Sequence, residues 1–290
     1  MQLQLGLLRL DVLDDGLFEL RPETFVKVTK GRNAELLDRS KYRPRIKVGF
    51  NSLLVRGEGK TVLIDPGTGD KERLAERRNY NLDWPRKVLP RLKELGVRRE
   101  QIDLVVLTHL HWDHAGACTT VGHSGQLVPT FPQARVIVHE RELIGARAAL
   151  GTGDDGYCAD DFEPLAAVNA LELVTTDDAR ILPWLSCHWS GGHSPGHMVI
   201  QIGYPEQAKL LYLSDVLPTT AQLPLDSGMS YDQNPSELEA AKQKFLARAA
   251  ADHSLILLVH APRNKLGYLH HSASDGYRFE HRTLDQLANL

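Results

Sequence analysis

The chain has 290 residues, of which 42% are hydrophobic and 24% charged, and its formal net charge at pH 7 is −3. This composition is typical of a globular protein with a sizeable core, and the length fits one large α/β domain or two small ones. The near-neutral charge argues against nucleic-acid binding, and no apolar run reaches the roughly 18 residues of a membrane helix.

The N-terminal stretch MQLQLGLLRLDVLDD has the charged Arg9 and no small-residue cleavage pattern, so it lacks the features of a signal peptide. Cys118, Cys158 and Cys187 are widely spaced, odd in number and form no CxxC pair. We therefore expect neither a disulfide framework nor a cysteine-based zinc site, and the reducing cytoplasm is the best fit.

Six short runs rich in leucine and β-branched residues predict strands. They are residues 46–56, 60–65, 102–109, 134–140, 209–215 and 254–260. Four of these runs end in a polar residue, namely Asp65, His109, Asp215 and His260. Functional groups gather where strands of layered α/β folds meet loops, which makes these four residues candidates for a site.

Two segments predict helices. Residues 86–95 carry spaced apolar side chains and stop at Gly96, a good C-terminal cap. Residues 235–251 follow Asn234, a good N-cap, and begin with a proline. Residues 145–165 have weak periodicity and many Gly and Asp residues, and there we predict a long loop or lid.

The segment THLHWDHAG, residues 108–116, carries three histidines and one aspartate within six positions. Imidazole and carboxylate groups are natural ligands of Zn²⁺ and similar ions. In an extended segment His109 and His111 point the same way and can share one ion, whereas a turn can aim Asp113 and His114 at a second ion. A lone histidine is usually a surface or core residue, but burying this group without a metal would leave several polar atoms unsatisfied.

Two ions need further ligands, and three residues elsewhere supply them: His193 in the turn GGHSPGH, Asp215 and His260. We assign one ion to His109, His111 and His193, the second ion to Asp113, His114 and His260, and a bridging position to Asp215. Asp113 and Asp215 are also the predicted catalytic residues. The sequence does not decide the roles of two nearby histidines. His197 is expected to orient its loop or begin a strand, and His188 is a candidate for the pocket wall.

The HxHxDH motif, followed by GHSPGH, a strand-end Asp and a strand-end His, resembles the metallo-β-lactamase-fold hydrolases. The similarity extends from Asp65 to His260 and covers nearly the whole chain. It implies an α/β fold of four layers, an αββα sandwich, in a single domain over residues 1–290. It also implies that all seven ligand positions of a dinuclear centre are filled and that Asp65 supports the metal loop. Zn²⁺ is the default ion, although Mn²⁺, Co²⁺ and Fe²⁺ fit the same ligands.

Residues 41–56 and the stretch after Asp215 resemble the branch that contains methyl parathion hydrolase-like enzymes and quorum-quenching lactonases. Some of those lactonases carry a tyrosine three residues after the bridging aspartate, where this chain has Pro218. Assistance by a tyrosine would therefore come from Tyr157 or Tyr231, and the sequence does not choose between them. Candidates for an apolar pocket wall are Trp112, Trp184 and Trp189, each of which is equally well a core residue. Met229 and Tyr231 are further candidates for this wall.

These features predict a dinuclear metal-dependent hydrolase in which a hydroxide that bridges the two ions attacks the carbonyl of a lactone or ester. N-acyl homoserine lactones are one candidate substrate class, and Asp113 would orient the nucleophile or relay a proton. Hydrolysis of phosphotriesters or phosphodiesters at the same site is the first alternative, and a metal-stabilised binding module without turnover is the second. The expected partner is a small molecule rather than nucleic acid or a membrane, and a homodimer is left open.

Overall fold

The structure is a computed structural model that describes residues 2–28, 45–71, 78–153, 156–207 and 209–287. The strands in these ranges are β1 (Gln2–Leu5), β2 (Leu8–Leu20), β3 (Lys27–Val28), β4 (Ile46–Gly57), β5 (Lys60–Ile64), β6 (Leu104–Val106), β7 (Thr119–Val121), β8 (Leu127–Pro129), β9 (Arg135–His139), β10 (Leu171–Val174), β11 (Asp178–Leu182), β12 (Leu185–Trp189), β13 (Met198–Ile202), β14 (Leu210–Tyr212), β15 (Ser227–Gly228), β16 (Leu255–Leu257), β17 (Leu266–Ser272) and β18 (Gly276–His281).

The α-helices in the same ranges include Pro22–Phe25, Val88–Glu94, Trp112–Ala115, Glu140–Ala149, Ala159–Ala167, Pro235–Ala251 and Leu284–Leu287. Short 3-10 helices cover Arg99–Gln101, Gly116–Cys118, Ser214–Val216 and Thr220–Gln222. None of the helices in the described part of the chain combines the length and the apolar character that a membrane span requires.

Two seven-stranded sheets form the centre of the fold. The first sheet has the strand order β1-β2-β4-β5-β6-β9-β10, and its strands from β5 to β10 run parallel. The second sheet has the order β11-β12-β13-β14-β16-β17-β18, in which only the β14–β16 pairing among the described strands is parallel. Parallel neighbours end at the same edge of a sheet, so the segments that follow β5, β6, β14 and β16 can meet there.

The apolar core divides into layers. Leu53 and Ile64 of the first sheet pack against Ile200 and Tyr212 of the second sheet. The outer face of the first sheet is covered by the helices Val88–Glu94, Glu140–Ala149 and Ala159–Ala167. Helix Pro235–Ala251 covers the second sheet, and burial of its Phe245 contributes about 1.5–3 kcal/mol. The predicted four-layer αββα sandwich is confirmed.

All six predicted strands are present, but five of them are shorter than predicted, three of them by several residues. Strands β6, β14 and β16 end at Val106, Tyr212 and Leu257. His109 and Asp215 therefore lie three residues beyond their strands, as does His260. The backbone leaves the ladder before each of them, for example where Asp215 enters the 3-10 helix Ser214–Val216.

Both predicted helices are confirmed, with small changes at the ends. Helix Val88–Glu94 is followed by Gly96 in the left-handed region, with φ at 70°. Helix Pro235–Ala251 begins after Asn234, whose side-chain oxygen accepts a hydrogen bond from the backbone N–H of Glu237 at 3.2 Å. Local capping chemistry thus sets these boundaries.

The prediction of a long loop over residues 145–165 is wrong for most of that range. Helices Glu140–Ala149 and Ala159–Ala167 occupy both ends, and residues 154 and 155 between them lie outside the described residues. Leu143 and Phe162 are buried against the first sheet. Tertiary burial of this kind outweighs the weak intrinsic helix preference of a Gly- and Asp-rich segment.

Candidate metal centre

Seven side chains that were predicted as metal ligands lie together at one edge of the sandwich. They come from the segments after β6, β14 and β16 and from the turn between β12 and β13: His109, His111, Asp113, His114, His193, Asp215 and His260. Six of them are buried, and Asp113 is 14% exposed.

The first half of the cluster consists of His109, His111 and His193. One nitrogen from each ring lies within 4.8 Å of the others. His193 Nε2 is 3.1 Å from His111 Nδ1, and the His109 and His111 ring centroids are 4.5 Å apart. The two histidines of the HLH segment therefore do face the same space, as predicted from an extended backbone.

The second half consists of Asp113, His114 and His260, which also offer ligand atoms within 4.8 Å of one another. Asp113 Oδ2 lies 3.6 Å from His114 Nε2 and 3.6 Å from His260 Nε2. The short helix Trp112–Ala115 provides the predicted turn and brings Asp113 and His114 together beside His260. The His114 ring stays 4.1 Å from the His109 ring, and His109, His114 and Asp215 also offer ligand atoms within 4.8 Å of one another.

Asp215 lies between the two halves and offers one oxygen to each. Its Oδ2 atom is 3.1 Å from His193 Nε2, and its Oδ1 atom is 3.3 Å from His260 Nε2 and 3.7 Å from His114 Nε2. Burial alone raises the pKa of Asp215, but His260, His193 and His114 outweigh burial and hold that pKa well below its usual range. The carboxylate is therefore ionised and can face both halves.

The donor set fits divalent cations. His109 Nε2, His114 Nε2 and Asp215 Oδ1 are buried and have no hydrogen-bond partner. Each such atom costs about 1–3 kcal/mol if it stays unpaired. Burial keeps the pKa of His109 and of His111 well below its usual range, so both rings are neutral at pH 7, as ligation requires. Convergent imidazole nitrogens and carboxylates are the preferred ligands of Zn²⁺ and related ions.

The outer nitrogens of the second half are held by the first sheet. Asp65, next to β5, accepts hydrogen bonds from the Thr108 N–H at 2.8 Å and the Thr108 hydroxyl at 2.7 Å. Its Oδ2 atom also lies 2.9 Å from His114 Nδ1, and His260 Nδ1 lies 2.9 Å from the Gly49 carbonyl oxygen. Each contact turns Nε2 of the ring towards the cluster.

The first half is oriented by two carboxylates that the sequence analysis missed. Asp232 Oδ1 lies 2.7 Å from His193 Nδ1. Glu142 accepts a hydrogen bond from the Leu110 N–H, between His109 and His111, at 3.0 Å. Asp232 follows none of the predicted strands and Glu142 lies in a helix, so neither residue belongs to a motif that would have singled it out.

The turn that carries His193 depends on close packing. Gly192 has φ at 81°, and a Cβ atom there would lie 2.4 Å from the Leu238 nitrogen. The Gly192 N–H donates to Glu237 Oε2 at 2.7 Å. The loop between β12 and β13 thus packs against the first turn of helix Pro235–Ala251, and only glycine permits so close a contact.

His197 and His188, the two histidines whose roles the sequence does not decide, lie in different environments. Ser190 Oγ lies 2.7 Å from His197 Nδ1, and the Asp215 N–H donates to His197 Nε2 at 3.3 Å. His197 therefore orients the loops around Asp215. His188 instead contacts Asp178 across β11 and β12 and lies outside the residues that line the cavity, so its assignment to the pocket wall is wrong.

A cavity of about 310 Å³ opens beside the cluster. Its lining combines aromatic or aliphatic residues with polar ones: Phe18, Leu20, Tyr80, His111, Trp112, Asp113, Gly156, Asp215 and Tyr231. The Tyr80 and Trp112 rings stack at 5.5 Å. One side of the space is therefore suited to an apolar group and the other side to a polar group.

Of the other wall candidates, only one reaches this cavity. Trp184 is buried between the two sheets, Trp189 donates its indole N–H to the Pro195 carbonyl, and Met229 is a buried core residue. Tyr157 is buried and donates its hydroxyl to Glu142 Oε1 at 3.1 Å. Tyr231 is 40% exposed and lines the cavity, so it is the one of these two tyrosines that a substrate can meet.

Two curated relatives are similar in sequence. N-acyl homoserine lactonase AiiB of Agrobacterium fabrum (strain C58) is 32% identical over 194 residues, which cover 60% of this chain and 65% of that protein. N-acyl homoserine lactonase AttM of Azorhizobium caulinodans is 26% identical over 224 residues, which cover 73% of this chain and 77% of that protein. The chain thus spans less than two thirds of the length of AiiB.

Solved structures share the fold along almost the whole chain. A probable metal-dependent hydrolase from Staphylococcus aureus has a TM-score of 0.81 at 21% identity, with 96% of this chain and 98% of that chain covered. AidC, a dizinc quorum-quenching lactonase, has a TM-score of 0.76 at 23% identity, with 98% and 97% covered. Residues 48–260, most of the chain, match the sequence pattern of one family, and this protein belongs to the metallo-β-lactamase superfamily.

Proposed function

We propose that this protein is a metal-dependent hydrolase that opens the ring of a small lactone, with N-acyl homoserine lactones as the substrate class. The observation that carries the proposal is the position of Asp215, with one oxygen towards each half of the cluster and a half-apolar cavity beside it. The names of the relatives AiiB and AttM support the substrate class.

The two halves of the cluster would each hold one divalent cation. One cation would be bound by His109, His111 and His193, the other by Asp113, His114 and His260, and Asp215 would bind both. Zn²⁺ is the expected ion, and Mn²⁺, Co²⁺ and Fe²⁺ suit the same atoms. When bound, two such ions lower the pKa of a water to about 7 and polarise a carbonyl oxygen.

Side chains of the cavity would guide the proton and the substrate. Asp113 is partly exposed and lines the cavity, so it can take the proton of the attacking water and pass it to the ring oxygen that leaves. In that reaction a C–O bond forms at the carbonyl carbon and the ring C–O bond breaks. Tyr231 can donate a hydrogen bond to a substrate oxygen, while Phe18 and Trp112 hold the acyl group away from water.

Proton release from a panel of lactones with short and long acyl chains tests the proposal. Zinc-loaded wild-type protein is expected to turn over N-acyl homoserine lactones, and Asp215→Asn serves as the blank. An absence of turnover on every lactone by protein that has bound zinc would contradict the substrate class.

Hydrolysis of aryl phosphotriesters is the second candidate. The stacked Tyr80 and Trp112 rings favour it, since an aromatic leaving group can pack on them. The same zinc-loaded protein should be assayed with an aryl phosphotriester, and the larger kcat/KM identifies the better substrate.

A cytoplasmic location belongs to the same proposal and is supported by three free cysteines, Cys118, Cys158 and Cys187.

A further inference from the structure

We infer that Glu142 is a positioning residue that holds the two histidine-bearing loops of the first half together and thereby sets the affinity of that half for its cation. The inference rests on the proposed function only in taking the cluster as a site for divalent cations. It does not depend on the identity of the substrate.

Glu142 lies in helix Glu140–Ala149, and its side chain is fully buried. Its Oε2 atom accepts hydrogen bonds from Ser194 Oγ at 2.7 Å and from the Gly196 N–H at 2.9 Å. Its Oε1 atom accepts from the Leu110 N–H at 3.0 Å and from the Tyr157 hydroxyl at 3.1 Å. One carboxylate therefore receives four donors from three separate segments.

These donors lie next to the residues of the first half. Leu110 separates His109 from His111 in the chain, and Ser194 directly follows His193. The Tyr157 ring packs on the His111 ring with the centroids 4.6 Å apart. Any shift of Glu142 would therefore change the separation between His193 and the HLH segment, which is the separation that one ion must span.

The packing around Glu142 leaves little room for adjustment. A Cβ atom on Gly196 would lie 2.2 Å from the Glu142 nitrogen, so the histidine turn contacts the helix backbone directly. One helical turn further on, a Cβ atom on Gly145 would lie 2.7 Å from Pro195 Cγ. Both glycines permit the close approach of turn and helix that brings four donors within reach of one side chain.

A carboxylate is the group that these contacts require, since both of its oxygens only accept hydrogen bonds. A glutamine has one accepting oxygen and one donating NH₂ group. The hydroxyls of Ser194 and Tyr157 can rotate to accept from that NH₂ group, but a backbone N–H cannot. In either orientation of the amide, the N–H of Leu110 or of Gly196 therefore loses its acceptor.

The test is a Zn²⁺ titration of metal-free wild-type protein and of Glu142→Gln, in competition with a chromophoric chelator. Glu140→Gln is the matched control, because Glu140 begins the same helix and is exposed. Glu142→Gln is expected to weaken the binding of one of the two zinc ions by about 10- to 100-fold and to leave the affinity for the other ion unchanged. Loss of a group that orients metal ligands typically has an effect of this size. Glu140→Gln is expected to bind both ions like the wild type.

Two milder variants show whether folding alone explains a loss. Ser194→Ala and Tyr157→Phe each remove one hydroxyl donor and keep both backbone contacts. We therefore expect a smaller loss of affinity for the same ion, while the Tm of the metal-free protein stays within a few degrees of the wild-type value.

Wild-type affinity for both ions in Glu142→Gln would overturn the inference. An equal loss of both ions that follows a fall in Tm would also overturn it, and so would a wild-type protein that binds no zinc. A wild type that binds zinc but hydrolyses no lactone would refute only the proposed substrate.

Discussion

The two halves of the cluster are attached to different parts of the fold. In the second half, the outer nitrogens of His114 and His260 contact Asp65 beside β5 and the Gly49 carbonyl of β4, both in the first sheet. In the first half, His193 contacts Asp232, which lies in a loop. His114 and His260 are thus held by the sheet, and His193 by a segment packed over it. His109 is linked to the sheet as well, because Thr108 Oγ1 lies 3.0 Å from His109 Nδ1 and donates to Asp65. Substitutions distant from the cluster are therefore expected to act more strongly on one half than on the other.

The halves also differ in charge. The first half contains three imidazoles, whereas the second half contains the carboxylate of Asp113. Burial lowers the pKa of His114, but Asp113, Asp215 and Asp65 outweigh burial and raise it to about 10. His109 is surrounded by other histidines, which add to burial in lowering its pKa. A cation must therefore displace a proton from His114 but none from His109. In the first half, burial lowers the pKa of His193, but Asp215 and Asp232 outweigh burial and raise it.

The largest effect is expected from Asp215→Asn, because Asp215 is the residue that faces both halves. The amide keeps the shape but offers one neutral oxygen, so both zinc ions should bind more weakly by more than about 100-fold, beyond the range of residues that only orient ligands. Competition titration with a chelator measures this. Retention of either ion at wild-type affinity would show that Asp215 is not shared.

Asp232→Asn and Asp65→Asn should separate the halves. Asp232→Asn weakens the hold on His193, and Asp65→Asn weakens the hold on His114. Asp232→Asn is expected to reduce the affinity for one ion by about 10- to 100-fold, and Asp65→Asn is expected to act most strongly on the other ion. Asp65→Asn should have a smaller effect on the first ion through Thr108, which contacts His109. If both single variants weaken the same ion most, the division into halves is wrong.

Zinc binding to the second half should depend on pH. His114 has a pKa of about 10 in the metal-free protein, so it is protonated near neutral pH and zinc must displace that proton. Affinity for that ion should therefore rise with pH, by up to about tenfold per pH unit between roughly pH 6 and 8. Asp65→Asn removes one of the carboxylates that raise this pKa, so its curve should flatten at a lower pH. Zinc uptake without proton release would contradict this prediction.

The smallest effect is expected from Phe18→Ala. The Phe18 ring lines the cavity and lies 5.7 Å from the ring of His260, in the second half. Its loss should raise KM for lactones with long acyl chains by roughly 10-fold and change kcat little, because it removes apolar contact with the substrate. Equal KM values for short and long chains in wild-type protein would show that the aromatic side of the cavity does not bind the acyl group.

Local patterns in the sequence predict the metal-binding residues better than the residues that hold them. His109, His111 and Asp113 lie in one motif, and a single strand and turn bring them together. Asp232 and Glu142 reach the cluster only because helix packing places their loop and helix there, which no local pattern encodes. Tertiary packing likewise explains the helices within residues 145–165.

The strands at the N-terminus show the same limit. Strand β2, Leu8–Leu20, was not predicted, although residues 8–12 alternate between apolar and polar side chains. Beyond residue 12 this alternation is lost, and both faces of the strand are largely buried. Its pairing with β4 shifts register between Asp14 and Leu17, at Gly16 with φ at 102°. Phe18 and Leu20, which lie beyond this shift, line the cavity. The apolar wall therefore depends on a register that the sequence pattern alone does not specify.

Calorimetric titration of metal-free wild-type protein with Zn²⁺, followed by lactone turnover at each step, tests the shared two-ion cluster most directly. We predict two binding events, with turnover that appears as the second ion binds, and the loss of both events in Asp215→Asn. A single binding event with full turnover, or two intact events in Asp215→Asn, would contradict the assignment of Asp215 to both halves.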